Sequence, residues 1–363
     1  MNSHRLWNAA RGTFWAAGIA LWALLWAGSP LGTTLLWNVL IPLAPAVFVF
    51  APGVWRNICP LATTARLGER WGRGAARPLS PVAQGRLLLL AAVALGIIVP
   101  LRHLGLNWRP QSSALVLTVA AGVALGMGLV FRRKSGWCNS LCPVHPVERL
   151  YGFRPAVRVA NVQCGSCRRC SSPCPEVTPG LHPFRRSPEG AEGRVGTLMA
   201  GGFVGFIVGW FQVPDFQDGV GLASAARAYL FPWGGAAVSL MLYAGLRRVL
   251  PSSWRPALLR LFAASAVAAY YWYRIPALVG IGLHPPDGML VDLRNTGAGP
   301  LVAAVRWVLP TFLLTWAALP RRGMRSWTVR PPMARPEPVP GAVEAPGSEI
   351  SAPEALQGMA PRP

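Results

Sequence analysis

Eight apolar stretches of roughly twenty residues, separated by polar segments that alternate between rich and poor in arginine, dominate this chain. A run of that length has the reach of a helix across a lipid bilayer. They fall at about 13–28, 31–50, 87–106, 113–131, 195–213, 228–246, 256–283 and 300–319. With 52% hydrophobic and only 13% charged residues, and 16 Trp among 363, the composition excludes an ordinary soluble domain. The fold class expected is an all-α polytopic membrane protein of about eight transmembrane helices. A net charge of +22 would point to nucleic acid in a soluble chain. Here the basic residues flank apolar segments, which positive-inside topology explains without a nucleic-acid partner.

The charge distribution sets an expected orientation. Residues 52–86 carry six Arg against Glu69, and residues 132–195 carry eleven basic side chains against four acidic ones, so both segments read as cytoplasmic. Both termini then lie inside a bacterial-type inner membrane. The small residues Ala27, Gly28 and Ser29 could mark a cleaved signal, but the second apolar run follows at once and favours a retained helix. Pro42 and Pro45 lie inside the second span, so its backbone must be kinked and its freed groups satisfied by neighbours. The organisation expected is helices 1–4 over 1–131, a cytoplasmic segment over 132–194, helices 5–8 over 195–330, and a disordered tail over 331–363 with nine prolines.

Cys164, Cys167, Cys170 and Cys174 form a C-x2-C-x2-C-x3-C-P run. Four thiolates within eleven residues need a shared positive centre, and this spacing suits a 4Fe-4S cluster. Structural zinc sites instead pair C-x2-C with a distant second pair, and this chain has none. Disulfides are disfavoured on a reducing, cytoplasmic side. The remaining cysteines, Cys59, Cys138 and Cys142, fall on the same face. They form either a separate thiol site or, with Cys174, a second metal centre.

Residues 55–68 and 137–152 echo one another. Each has a Cys-Pro, Cys59-Pro60 and Cys142-Pro143, and from there Arg66 matches Arg149 and Leu67 matches Leu150. Each copy closes an even-numbered span, so spans one and two look like a degenerate repeat of spans three and four. Over about 31–175 the chain resembles membrane-integral 4Fe-4S proteins of the quinol dehydrogenase subunit, nitrous-oxide-reductase regulator and cytochrome-oxidase assembly type, whose helices end in C-x3-C-P motifs followed by ferredoxin-like loops. The resemblance implies that Cys164, Cys167, Cys170 and Cys174 are cluster ligands. It implies that Cys59, Cys138 and Cys142 belong to a membrane-edge motif of open role. The chain departs from it by having one ferredoxin run, and by having Trp55 where the first motif needs a cysteine.

His145 lies three residues after Cys142, either within reach of a cluster or simply on the surface. His103 and His284, at outer helix ends, are candidate haem ligands or quinol hydrogen-bonding groups, or else interfacial caps. Asp215 and Asp218 could accept protons from a quinol or be solvated loop residues. Arg168 and Arg169 would raise a cluster's potential and offer a patch for an acidic partner, or reflect topology alone. Trp108, Trp233, Tyr270, Tyr271 and Trp272 fit an aromatic belt.

The expected function is electron transfer through a cytoplasmic 4Fe-4S cluster, between the quinone pool or a membrane subunit and a partner redox protein. Membrane lipid and a redox enzyme are the partners implied. The rival class is an assembly, metal-delivery or redox-sensing factor. A transporter with a structural cluster is weaker, because the spans lack carboxylates.

Overall fold

The computed structural model describes residues 3–72, 79–131, 136–161, 190–217, 219–318 and 327–329. The chain runs as α1 (Ser3–Trp26), α2 (Pro30–Thr33), a π-helical segment Thr34–Leu40, α3 (Ile41–Phe50), α4 (Pro52–Ile58) and α5 (Pro60–Trp71). Next come α6 (Pro81–Leu101), α7 (Pro110–Val130), a π turn Trp137–Leu141 and α8 (His145–Tyr151). After β1 (Val159–Ala160), α9 (Gly190–Phe211), α10 (Leu222–Val249), α11 (Arg255–Leu278) and α12 (Gly299–Ala318) complete the bundle. β2 (Thr328–Val329) pairs in parallel with β1.

Each expected span falls on a helix, but among the described residues six segments rather than eight are long and apolar enough to cross a membrane: Pro30–Phe50, Pro81–Leu104, Pro110–Val130, Gly190–Phe211, Leu222–Val249 and Gly299–Ala318. The two that fall short are α1, which carries Arg5 and Arg11, and α11, which carries Arg255, Arg260 and Arg274. The chain is a multi-pass membrane protein. One end of the bundle holds Phe50, Trp71 and Val130 and is called the cysteine face below; the other holds Trp26, His103 and Phe211 and is called the histidine face.

The interrupted second span is repaired by α11. In a π-helix the carbonyl of residue i accepts from i+5, so Trp37 would be served by Pro42, which has no N–H. Arg274 Nη2 donates to that carbonyl instead, at 2.8 Å. One turn further on, the Tyr271 hydroxyl is inserted between two backbone groups. It accepts from Ala46 N–H at 2.9 Å and donates to the Pro42 carbonyl at 2.8 Å. Tyr271 is buried and bonded to backbone, so it does not belong to an aromatic belt.

α9 and α10 cross at a point where neither helix has room for a side chain. A Cβ on Gly205 would collide with the Gly235 carbonyl, and one on Gly235 with the Gly205 carbonyl. Ser239 Oγ locks the crossing, accepting from Gly205 N–H and donating to the Gly202 carbonyl, both at 3.1 Å. Small residues that let backbones touch are the usual solution where lipid offers no hydrophobic drive between helices. The main core cluster joins α3, α6, α8, α9, α11 and α12.

Candidate functional site

The two Cys-Pro motifs adopt the same backbone form. Cys59 has φ −55°, ψ 123° and Cys142 has φ −64°, ψ 119°, the extended geometry favoured before proline. Each therefore ends one short helical piece and admits another, making a hairpin with the cysteine at its tip. In the first copy α4 turns back from Phe50 against α1, and α5 then runs out between α1 and α7. Pro60 packs on Gly18 in the middle of α1, Trp15 Nε1 donates to Thr64 Oγ1 at 3.2 Å, and Gly72 meets Leu129 at the end of α7. In the second copy the π turn packs on α6 and α8 on α3 and α9.

The hairpins are re-entrant. Cys138, Leu141 and Cys142 pack with Leu61 and Ala65 around Ala120 and Ala124 of α7. Ala124 is six residues from the end of that helix at Val130, about 9 Å at 1.5 Å per residue. Segments 52–71 and 136–151, expected as water-facing loops, are thus largely folded back into the bundle. Every residue of α8 is buried. Charge counting could not show this, because Arg56 and Glu148, at the centre of the arrangement, neutralise one another.

They do so across the two copies. Arg56 of the first donates from Nε to Glu148 Oε1 at 2.6 Å and from Nη2 to Oε2 at 2.5 Å. Its Nη1 donates to Asn139 Oδ1 at 2.8 Å, and Nη2 also lies 2.7 Å from His145 Nδ1. A guanidinium can only donate, so Nδ1 accepts and a neutral His145 carries its proton on Nε2. Burial, with Arg56 and Arg149 beside it, holds the imidazole well below its ordinary pKa. His145 is 1% exposed, which rules out the surface reading, and its Nε2 has no partner among the described residues.

Cys59, Cys138 and Cys142 are half-buried. Burial pushes the Cys142 thiol up, and Cys59 and Cys138 lie close enough to add to the shift. Burial likewise raises Cys59, against the N–H groups of Ala62 and Leu61. The copies therefore bring the three cysteines into one neighbourhood. Among the described residues, however, no group of three or more His, Cys, Asp or Glu is disposed to hold a metal ion. Cys164, Cys167, Cys170 and Cys174, with Arg168 and Arg169, lie outside the described residues, as do Asp218 and the tail 331–363.

A second site opens at the histidine face, where His103, Asp215, Arg274, His284 and Asp287 line a shallow cleft with Trp210, Phe211 and Tyr273; its enclosed space is about 40 Å³. His103 and Asp215 are buried and joined at 2.8 Å through Nδ1 and Oδ1. His103 Nε2 lies 3.1 Å from the Trp210 carbonyl, which can only accept, so that nitrogen carries a proton. Both ring nitrogens are engaged, and neither is left for a haem iron. Asn107 Nδ2 donates to both Asp215 oxygens at 2.8 and 2.9 Å, and Asp215 N–H donates to Asp287 Oδ2 at 2.7 Å. Burial pushes the Asp287 carboxyl up, against the donated Asp215 N–H; the Asp215 charge adds to the rise, while His284 and His103 oppose it. Arg274 Nε and His284 Nε2 have no partner among the described residues.

Sequence reasoning named His103 and His284 as a pair that could face each other, and Asp215 apart from them; the fold brings all three to one cleft. It missed Arg274, Asn107 and Asp287. The signal for Arg274 was available: an arginine within an apolar helix is expensive and marks a functional position. No family model, no curated protein and no solved structure matches this chain.

Proposed function

We propose that this protein transfers electrons between a membrane quinol at the histidine face and a partner redox protein at the cysteine face. One observation carries the reading. A buried His103–Asp215 pair borders an aromatic cleft beside a second carboxyl, Asp287, whose pKa is raised. Oxidising a quinol releases two electrons and two protons, and the two carboxylate positions are where such protons can be taken up. Tyr273 and Phe211, stacked at 5.1 Å, offer a surface for the ring.

Cys164, Cys167, Cys170 and Cys174 are the donor set suited to a 4Fe-4S cluster, on the strength of their spacing. Bound there, a cluster would supply a one-electron relay, so the two electrons of a quinol require a second centre or a partner that takes them in two successive steps. The positive-inside rule supports a reading in which the cysteine face and both termini are cytoplasmic at a bacterial-type inner membrane, with α1 and α11 as seventh and eighth spans. The three cysteines gathered by the hairpins favour the second reading, an assembly, metal-delivery or redox-sensing factor.

Stopped-flow reduction of the purified protein by a short-chain quinol decides between them. The electron-transfer reading expects fast, reversible bleaching of an iron–sulfur absorbance, slowed about a hundredfold by Asp215→Asn. No reduction by quinol, with a downstream enzyme lacking its metal in a deletion strain, would overturn it.

A further inference from the structure

The two copies treat their matching arginines differently. In the second, Arg149 is paired with Glu192 from the first turn of α9. In the first, Arg66 sits on α5, whose packing neighbours include α1 and α7, and its buried Nη1 has no hydrogen-bond partner among the described residues. Two of the groups around it repel it. Arg11 of α1 and Arg70 of α5 lie within its electrostatic reach, and with burial they bring its pKa down to about 10. Glu69 is a carboxylate in reach, yet it does not bond Nη1. A guanidinium nitrogen held out of water without a hydrogen-bond partner is costly, so an anion that reached it would be stabilising.

The surroundings say which anion. α1 turns Leu6, Phe14, Ile19, Trp22 and Trp26 outward, an apolar face suited to acyl chains, and Trp71 next to Arg70 is 65% exposed. An amphipathic ligand lying along α1 would bring its head group to the arginine end of that helix. Exposed tryptophan beside arginine is the usual signature of the head-group level.

We propose that Arg66, with Arg11 and Arg70, binds the phosphate of an anionic phospholipid between α1 and α5, in the role that the Glu192 carboxylate plays beside Arg149. Lipid at this position would hold the first hairpin against α1 and so support the Cys59 tip. The proposal does not depend on the electron-transfer reading.

The test uses the full chain in nanodiscs made of phosphatidylcholine with increasing phosphatidylglycerol, reading lipid retained after detergent extraction by native mass spectrometry. Wild type should retain phosphatidylglycerol over phosphatidylcholine. Arg66→Gln should weaken that preference about fivefold, the order expected for one arginine at an anionic surface. Arg70→Gln, at an exposed position, should weaken it in the same direction and guards against an unfolded Arg66 variant. Arg109→Gln, with the same change in net charge at the histidine face, should leave it unchanged. Equal retention of the two lipids by wild type, equal loss in Arg109→Gln, or full displacement by millimolar inorganic phosphate would overturn the assignment.

Discussion

Arg56 and Asn139 occupy the same place in the two copies, each three residues before the cysteine of a Cys-Pro, and they bond to one another at 2.8 Å. The hairpins therefore meet face to face at equivalent positions. Divergence has turned that meeting into a directed one: the first copy supplies the cation, and the second supplies Asn139, His145 and Glu148.

The pair Arg56 and Glu148 has side chains 4% exposed, so removing one partner leaves the other charge buried. Arg56→Ala should destabilise by about 3–5 kcal/mol, as for other broken buried pairs. Arg56→Met combined with Glu148→Leu should recover most of that loss. Thermal unfolding of wild type, Arg56→Met, Glu148→Leu and the double variant forms the cycle, and additive losses would show that the pair is not coupled.

Tyr271→Phe removes one hydroxyl and strips two backbone groups, Ala46 N–H and the Pro42 carbonyl, of a partner. The expected cost is about 2 kcal/mol, the usual range for leaving buried polar groups unsatisfied. An unchanged melting temperature would mean that the ladder closes by itself across the prolines.

Helix positions were legible because apolar runs of bilayer length leave little choice, and the repeat was legible from Cys59-Pro60 and Cys142-Pro143. The hairpins' direction was not. Arg56 and Glu148 look hydrophilic one at a time, and only their pairing allows both to be buried. His103 and Asp215 are 112 residues apart, and no periodicity encodes that they touch. Arg274 and Tyr271 serve broken backbone in another helix, a need that Pro42 and Pro45 announced without naming who would meet it.

Asp287 gives a pH test with a definite sign. Its carboxyl is raised by burial and by Asp215, so the folded protein binds that proton more tightly than the unfolded chain. Stability from this group is fully present below the ordinary carboxylate pKa and is lost as pH rises through the raised value. Asp287→Asn keeps an acceptor for Asp215 N–H and cannot ionise. The variant should be more stable than wild type near neutrality, with the difference shrinking towards about pH 4. A difference independent of pH would show that the carboxyl titrates normally.

Cluster number is decided by the cysteines at the hairpin tips. Two conventional cubanes need about eight thiolates, and the chain has seven cysteines. Cys59, Cys138 and Cys142 share a neighbourhood, but the described residues include no group of three such side chains arranged around a metal. A single cluster on Cys164, Cys167, Cys170 and Cys174 asks nothing of those tips, since one local run closes only a short loop. Iron and acid-labile sulfide should each be about four per chain. On the single-cluster reading, Cys59→Ser should keep the cluster absorbance. If iron rises reproducibly to about seven or eight, or the signal disappears with Cys59, then Cys174 has joined the hairpin tips around a second centre.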